Sequence, residues 1–194
     1  MRYNVIREMD IANGPGVRVS IFLQGCEFNC PKCFNPETHD FNGGKEFTKE
    51  TVEIVMKLCD NENVKGLSIL GGEPLHPRNI EATEMLSKEF KEKFGNAKDV
   101  WVWTGYKFEN IDKKEKLKYI DILVDGQYVD ELHNPKLNWR GSSNQRILDV
   151  KESLKQGKPI EKKELYETIN MWQVKLFIKI FRKISIKSIA NKKI

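Results

Sequence analysis

Apolar positions along the chain alternate in short runs, and between those runs they recur at helical spacing. VRVSIFL (Val17–Leu23) alternates and is rich in β-branched residues, which predicts a strand. Residues 24–46 carry Gly, Pro, Asn and three cysteines and read as a loop. Thr48 suits the N-cap of a helix over 48–60, whose Val52, Val55, Met56 and Cys59 share one face. VKGLSIL over 64–70 predicts the next strand, which runs directly into Gly71-Gly72-Glu73-Pro74. A helix follows over 79–94, with Leu86, Phe90 and Phe94 facing inward. DVWVW (Asp99–Trp103) predicts a third strand, ended by Thr104-Gly105-Tyr106, then a short charged helix over 109–116. YIDILVDG over 119–126 predicts a fourth strand.

Strands that alternate with helices, and that are themselves apolar, predict a parallel sheet covered by helices. Right-handed crossovers then place the loop after each strand on one edge of the sheet. The cysteine loop, the Gly71–Pro74 turn, the Thr104–Tyr106 turn and Asp125-Gly126 all follow strands. They are expected to meet at the carboxyl ends, where α/β proteins place their sites.

With 194 residues the chain has room for one domain with a real core. No apolar run approaches the length of a membrane span, and the N-terminus lacks the apolar segment of a signal peptide, so the expected compartment is the cytoplasm. Net charge is +5, yet residues 171–194 hold seven Lys and Arg and no acid. The rest has 26 basic and 28 acidic residues, a net of −2, so the basic balance is no argument for nucleic-acid binding by the main domain. Residues 1–160 are read as the core and 161–194 as a C-terminal extension. In that extension Lys175, Lys179, Arg182, Lys183 and Lys187 oppose Val174, Phe177, Ile178, Phe181 and Ile184, as on a basic amphipathic helix, although 177–189 also alternates enough for a strand. Its apolar face suits docking on the chain's own core or on a partner, ahead of an anionic membrane surface.

Cys26, Cys30 and Cys33 form a C-x3-C-x2-C spacing, and Cys59 stands apart on an apolar helix face, as a buried small hydrophobe would. A tight cluster of thiols in a reducing compartment points to metal or catalysis rather than disulfides. Three thiolates can hold three corners of an iron–sulfur cubane and leave one iron open to a substrate. The alternative is structural zinc, which wants four ligands; His39 could be the fourth, but there is no second CxxC. At Gly71-Gly72-Glu73-Pro74 the glycines allow close backbone approach, and the carboxylate can accept hydrogen bonds from an ammonium group; an ordinary turn is the competing reading. Asn13–Arg18 enters the first strand, and spacing alone leaves open whether Arg18 faces a site. No acid–base pair stands out, and His39, His76 and His133 read as surface or loop residues.

The cysteine spacing, Phe34 after the third cysteine, and GGEP resemble the radical S-adenosylmethionine (SAM) superfamily. NGPGVRVSIFLQGC, CPKCFNPETHDF, LGGEP, VWTGY, DILVDG and LNWRGSSNQRILDV, between residues 1 and 150, are similar to the activating-protein family of anaerobic ribonucleoside-triphosphate reductases. The resemblance implies an α/β fold, an incomplete TIM-like βα barrel, with a [4Fe-4S] cluster on Cys26, Cys30 and Cys33. It implies SAM contacts from Lys32, Cys33 and Phe34 and from Gly72 and Glu73, with Thr104 bordering SAM and Asp125 a further candidate. It implies a low-potential donor such as flavodoxin, reductive cleavage of SAM to methionine and a 5′-deoxyadenosyl radical, and hydrogen removal from a glycine of the reductase. An activator of pyruvate formate-lyase type, another small radical SAM enzyme, and a non-enzymatic zinc or iron–sulfur module are the rival readings. The similarity fades after about residue 150.

Overall fold

A computed structural model describes residues 1–166; the basic amphipathic segment read from the sequence lies outside the described residues. Seven strands form one sheet: β1 (Arg2–Asp10), β2 (Val17–Leu23), β3 (Lys45–Glu46), β4 (Val64–Gly71), β5 (Asp99–Trp103), β6 (Ile122–Asp125) and β7 (Arg146–Asp149). Their spatial order is β3-β1-β2-β4-β5-β6-β7. β2, β4, β5 and β6 run parallel, as the alternation of strands and helices predicts. The sheet as a whole is mixed, because β1 pairs antiparallel with β2, β3 with β1, and β7 with β6. Among the described residues it is not closed, and β3 and β7 are its edges. Residues Met1–Lys162 form one compact unit; the described part beyond it holds a single 3-10 turn, Lys163–Leu165.

Helices α1 (Lys49–Cys59) and α2 (Ile80–Phe94) are the crossovers between parallel strands, and α3 (Val150–Gln156) follows β7. Thr48 does cap α1: its Oγ1 accepts from Thr51 N, and Thr51 Oγ1 accepts from Thr48 N at 3.1 Å. Such a reciprocal pair satisfies two amide donors that have no partner inside the helix. Between β5 and β6 the expected helix over 109–116 is replaced by two 3-10 turns, Phe108–Asn110 and Lys114–Leu117. The buried residues there are Phe108, Ile111, Leu117 and Ile120, spaced in multiples of three, which is the 3-10 repeat rather than the α repeat.

One sheet face packs against the helices. Val19, Ile21 and Leu23, Leu67 and Ile69, Val100 and Val102, and Leu123 meet Val55 and Cys59 of α1 and Leu86 and Phe90 of α2. The other face carries the residues in between. The register lines Ser20, Ser68, Trp101 and Ile122 across four strands. At the amino ends of the strands this face is plugged by Arg18, which is fully buried. Its Nε donates to Ser68 Oγ at 2.7 Å and its Nη2 to Leu67 O at 2.9 Å, while Nη2 stands 2.6 Å from Asp99 Oδ1. Gly66 lies beside this pair, and a Cβ there would overlap both Asp99 and Arg18. Among the described residues no helix is long and apolar enough to cross a membrane.

Candidate iron–sulfur and cofactor site

At the carboxyl ends of β2, β4, β5 and β6 the loops enclose a cavity of about 500 Å³. Cys26, Cys30 and Cys33 line it, with Gly72, Glu73 and Thr104. The cysteine loop and the Gly71–Pro74 turn are stitched by backbone: Gly72 N donates to Leu23 O and Glu73 N to Gly25 O, both at 2.8 Å. Gly72 lies so close to Gly25 that a Cβ would collide with its carbonyl, which is why glycine stands there. Asn79 adds a third stitch. Its Nδ2 donates to Gln24 O and Glu73 O, both at 3.0 Å. Asn79 occupies the N-cap position of α2 yet makes no side-chain cap, because its amide is spent on the two loops. The sequence marks it only as a helix start.

Glu73 is buried under this seam. Its carboxylate accepts from Thr104 Oγ1 (2.6 Å), Gly105 N (2.7 Å) and Leu75 N (2.8 Å). These donors are neutral, and burial outweighs them, pushing the carboxyl up to about 7. An ionised carboxylate has about four acceptor sites, so three donors leave room for one more. Thr104 therefore meets Glu73 directly, a contact the sequence could not display.

The three thiols stand around the wall of one cavity. Three thiolates suit a cluster of several irons, each on a different iron, whereas structural zinc takes four ligands on one centre. Hydrogen-bond donors already face two of the sulfurs: Asn35 N is 3.4 Å from Cys33 Sγ and Gln127 Nε2 3.5 Å from Cys30 Sγ. His39, on the same wall, has a buried Nε2 without a partner among the described residues. Burial pushes the Cys26 thiol up to about 11, with the Glu73 charge adding to it, and raises Cys33 as well. Metal loading must therefore displace protons. The donor set fits a polynuclear iron–sulfur group.

The other sequence candidates fall in several places. Phe34 borders the cavity and packs on Tyr128 at 5.1 Å. Lys32 points outward, with its Nζ 2.7 Å from Asp130 Oδ2. Asp125 is buried behind the cavity and serves as a strut: Arg146 donates to both its oxygens, at 2.9 and 2.6 Å, and Phe108 N donates at 2.7 Å. Arg18 belongs to the plug at the opposite end. Cys59 is buried on α1, its thiol pushed up to about 12 by burial. His133 is exposed; His76 lies in the loop between β4 and α2 but is buried there, its ring packed on Phe41 at 4.7 Å and its Nδ1 accepting from Arg78 N.

Residues 127–145 cover the remaining side of the cavity. Gln145 organises them: its Oε1 accepts from Gly141 N at 2.9 Å and Ser142 N at 3.2 Å, and its Nε2 donates to Gly126 O at 2.9 Å. Trp103 Nε1 donates to Trp139 O at 2.8 Å, joining the cover to β5. The GSSNQR stretch is thus the brace of the cavity cover, a role its composition does not announce.

The open α/β sheet carries three thiols at its carboxyl edge, and a family model described as "4Fe-4S single cluster domain" matches residues 12–148, which makes the class that of iron–sulfur proteins. Over 147 residues the chain is 43% identical to the anaerobic ribonucleoside-triphosphate reductase-activating protein of Enterobacteria phage T4, covering 76% of this chain and 93% of that one. It is 40% identical over 151 residues to the protein of that name from Salmonella typhimurium and 39% to that from Escherichia coli K12, each covering 76% of this chain and 97% of the relative. The chain belongs to the family of anaerobic ribonucleoside-triphosphate reductase-activating proteins.

Proposed function

We propose that the chain activates anaerobic ribonucleoside-triphosphate reductase by generating a glycyl radical on it, using a [4Fe-4S] cluster and SAM. The observation that carries this reading is the shared cavity: Cys26, Cys30 and Cys33 line it together with the Glu73 and Thr104 seam. Bound there, the cluster supplies one electron for reductive cleavage of the SAM sulfonium. Cys26, Cys30 and Cys33 would hold it and leave one iron without a protein ligand. Glu73 keeps acceptor capacity for the methionyl ammonium, and Gly72 permits close approach beside it. Thr104 and Gly105 N fix the carboxylate's orientation. The 127–145 cover shields the remaining side of the reacting centre from water. Lys32 acts on the loop through Asp130. The same reading takes the open sheet as an incomplete βα barrel of the radical SAM type, and a low-potential protein such as flavodoxin as electron donor, in the cytoplasm.

The test is anaerobic reconstitution, followed by incubation with SAM, a strong reductant and purified reductase. Expected are 5′-deoxyadenosine and a glycyl radical signal on the reductase by electron paramagnetic resonance. 5′-Deoxyadenosine with no radical on the reductase would assign the chain to another radical SAM activity. A full, reducible cluster that gives neither product would end the reading.

A further inference from the structure

Gln127 follows β6 and reaches Cys30 across 97 positions of sequence, its Nε2 3.5 Å from Cys30 Sγ and 3.4 Å from Phe28 O. Its backbone is fixed on both sides. Asn144 Nδ2 donates to Gln127 O at 2.8 Å, and Gln145 Nε2 holds the preceding Gly126 O. Gly126 has φ +101°, the left-handed turn that swings the chain from the strand end toward the cysteine loop. A thiolate offers only lone pairs, so the amide must present its NH2 and not its carbonyl. Cys33 receives its bond from the backbone of Asn35, which any residue except proline would supply. The bond at Cys30 depends on the side chain at 127.

We propose that Gln127 is a positioning residue for the cluster, donating an N–H···S hydrogen bond to the Cys30 thiolate and so raising the cluster's reduction potential. This rests on the reading of Cys30 as a cluster ligand. Reduction adds negative charge to the irons and their sulfurs, and a donor on sulfur stabilises that more negative state. The side chain at 127 thereby sets the balance between a cluster that a weak donor can reduce and one that reduces its substrate strongly.

The experiment compares the full chain with its Gln127→Leu and Gln127→Lys variants, each reconstituted, without SAM, and poised against redox mediators. At the wild-type midpoint, the reduced-to-oxidised ratio of the Gln127→Leu cluster is expected to be about three- to tenfold lower, tenfold being 59 mV for one electron. Gln127→Lys keeps N–H donors and is expected at or above wild type. In D2O, wild type is expected to show exchangeable deuterons coupled to the reduced cluster from both Gln127 and Asn35 N, and Gln127→Leu to lose the Gln127 deuteron alone. Iron and sulfide contents equal across the three show that assembly is unaffected. Coincident potentials for wild type and Gln127→Leu, or an equal fall in Gln127→Lys, would overturn the assignment. A wild type that assembles no cluster would instead defeat the reading on which it rests.

Discussion

At the amino ends of β2, β4 and β5 the chain buries the Arg18 guanidinium; at the carboxyl ends of the parallel strands it buries the Glu73 carboxylate. Arg18 is met by an opposite charge, with Asp99 2.6 Å away, and by carbonyl and hydroxyl acceptors. Burial pulls its ionisation down, and Asp99 pulls it back. Among the described residues Glu73 meets no counter-charge, only neutral donors, and its pKa rises to about 7. One end is complete in itself. The other is left short of one positive partner, which is what a site for an ammonium-bearing ligand requires.

The harshest way to separate the two ends is Cys30→Ala. It is expected to abolish cluster binding and glycyl-radical formation, read by iron content and paramagnetic resonance, while urea unfolding of the cluster-free chain moves by less than about 1 kcal/mol. Asp99→Ala should do the reverse: it leaves Arg18 buried without its counter-ion and costs about 3–5 kcal/mol in urea unfolding, with the cluster still loading. If Asp99→Ala is neutral, the plug is not an ion pair in any energetic sense. Glu73→Gln addresses the top edge alone. The folded chain keeps the Glu73 proton that the unfolded chain releases near 4.5, so this contribution is complete below about pH 4.5 and lost as pH rises through about 7. That window is expected to be worth about 3 kcal/mol in the cluster-free protein and to flatten in Glu73→Gln. The smallest effect belongs to Glu109→Gln on the exposed side of Arg146. Hydrogen bonds from Arg146 hold the Glu109 carboxyl down at about 2, so its contribution is present above the ordinary range and lost as pH falls through about 2. Solvent screening keeps it below about 1 kcal/mol in urea unfolding near neutral pH.

The four parallel strands and two crossover helices are legible in the sequence because each carries the period of its environment: near-continuous apolar runs where both faces are covered, and one apolar face on α1 and α2. The strands that escape notice are those with weak patterns. β1 (RYNVIREMD) is largely half-exposed or exposed, and β7 is four residues long, so neither displays a buried period. Their antiparallel pairing turns an expected parallel sheet into a mixed one. At the site, the cysteines and the glycine turn are legible because their chemistry is rare. Asn79, Gln127 and Gln145 are not, because an amide that ties two loops together looks, in sequence, like any polar residue at a helix cap or turn.

Asn79 and the Gly25–Gly72 contact also separate what holds the cysteine loop from what the cysteines would hold. Small zinc modules have no core without metal, and for them binding and folding are a single transition. Here the loop that carries the thiols is tied to the sheet by peptide hydrogen bonds and one buried amide, none of which needs iron. Contacts made by the protein alone thus set where the three thiols stand.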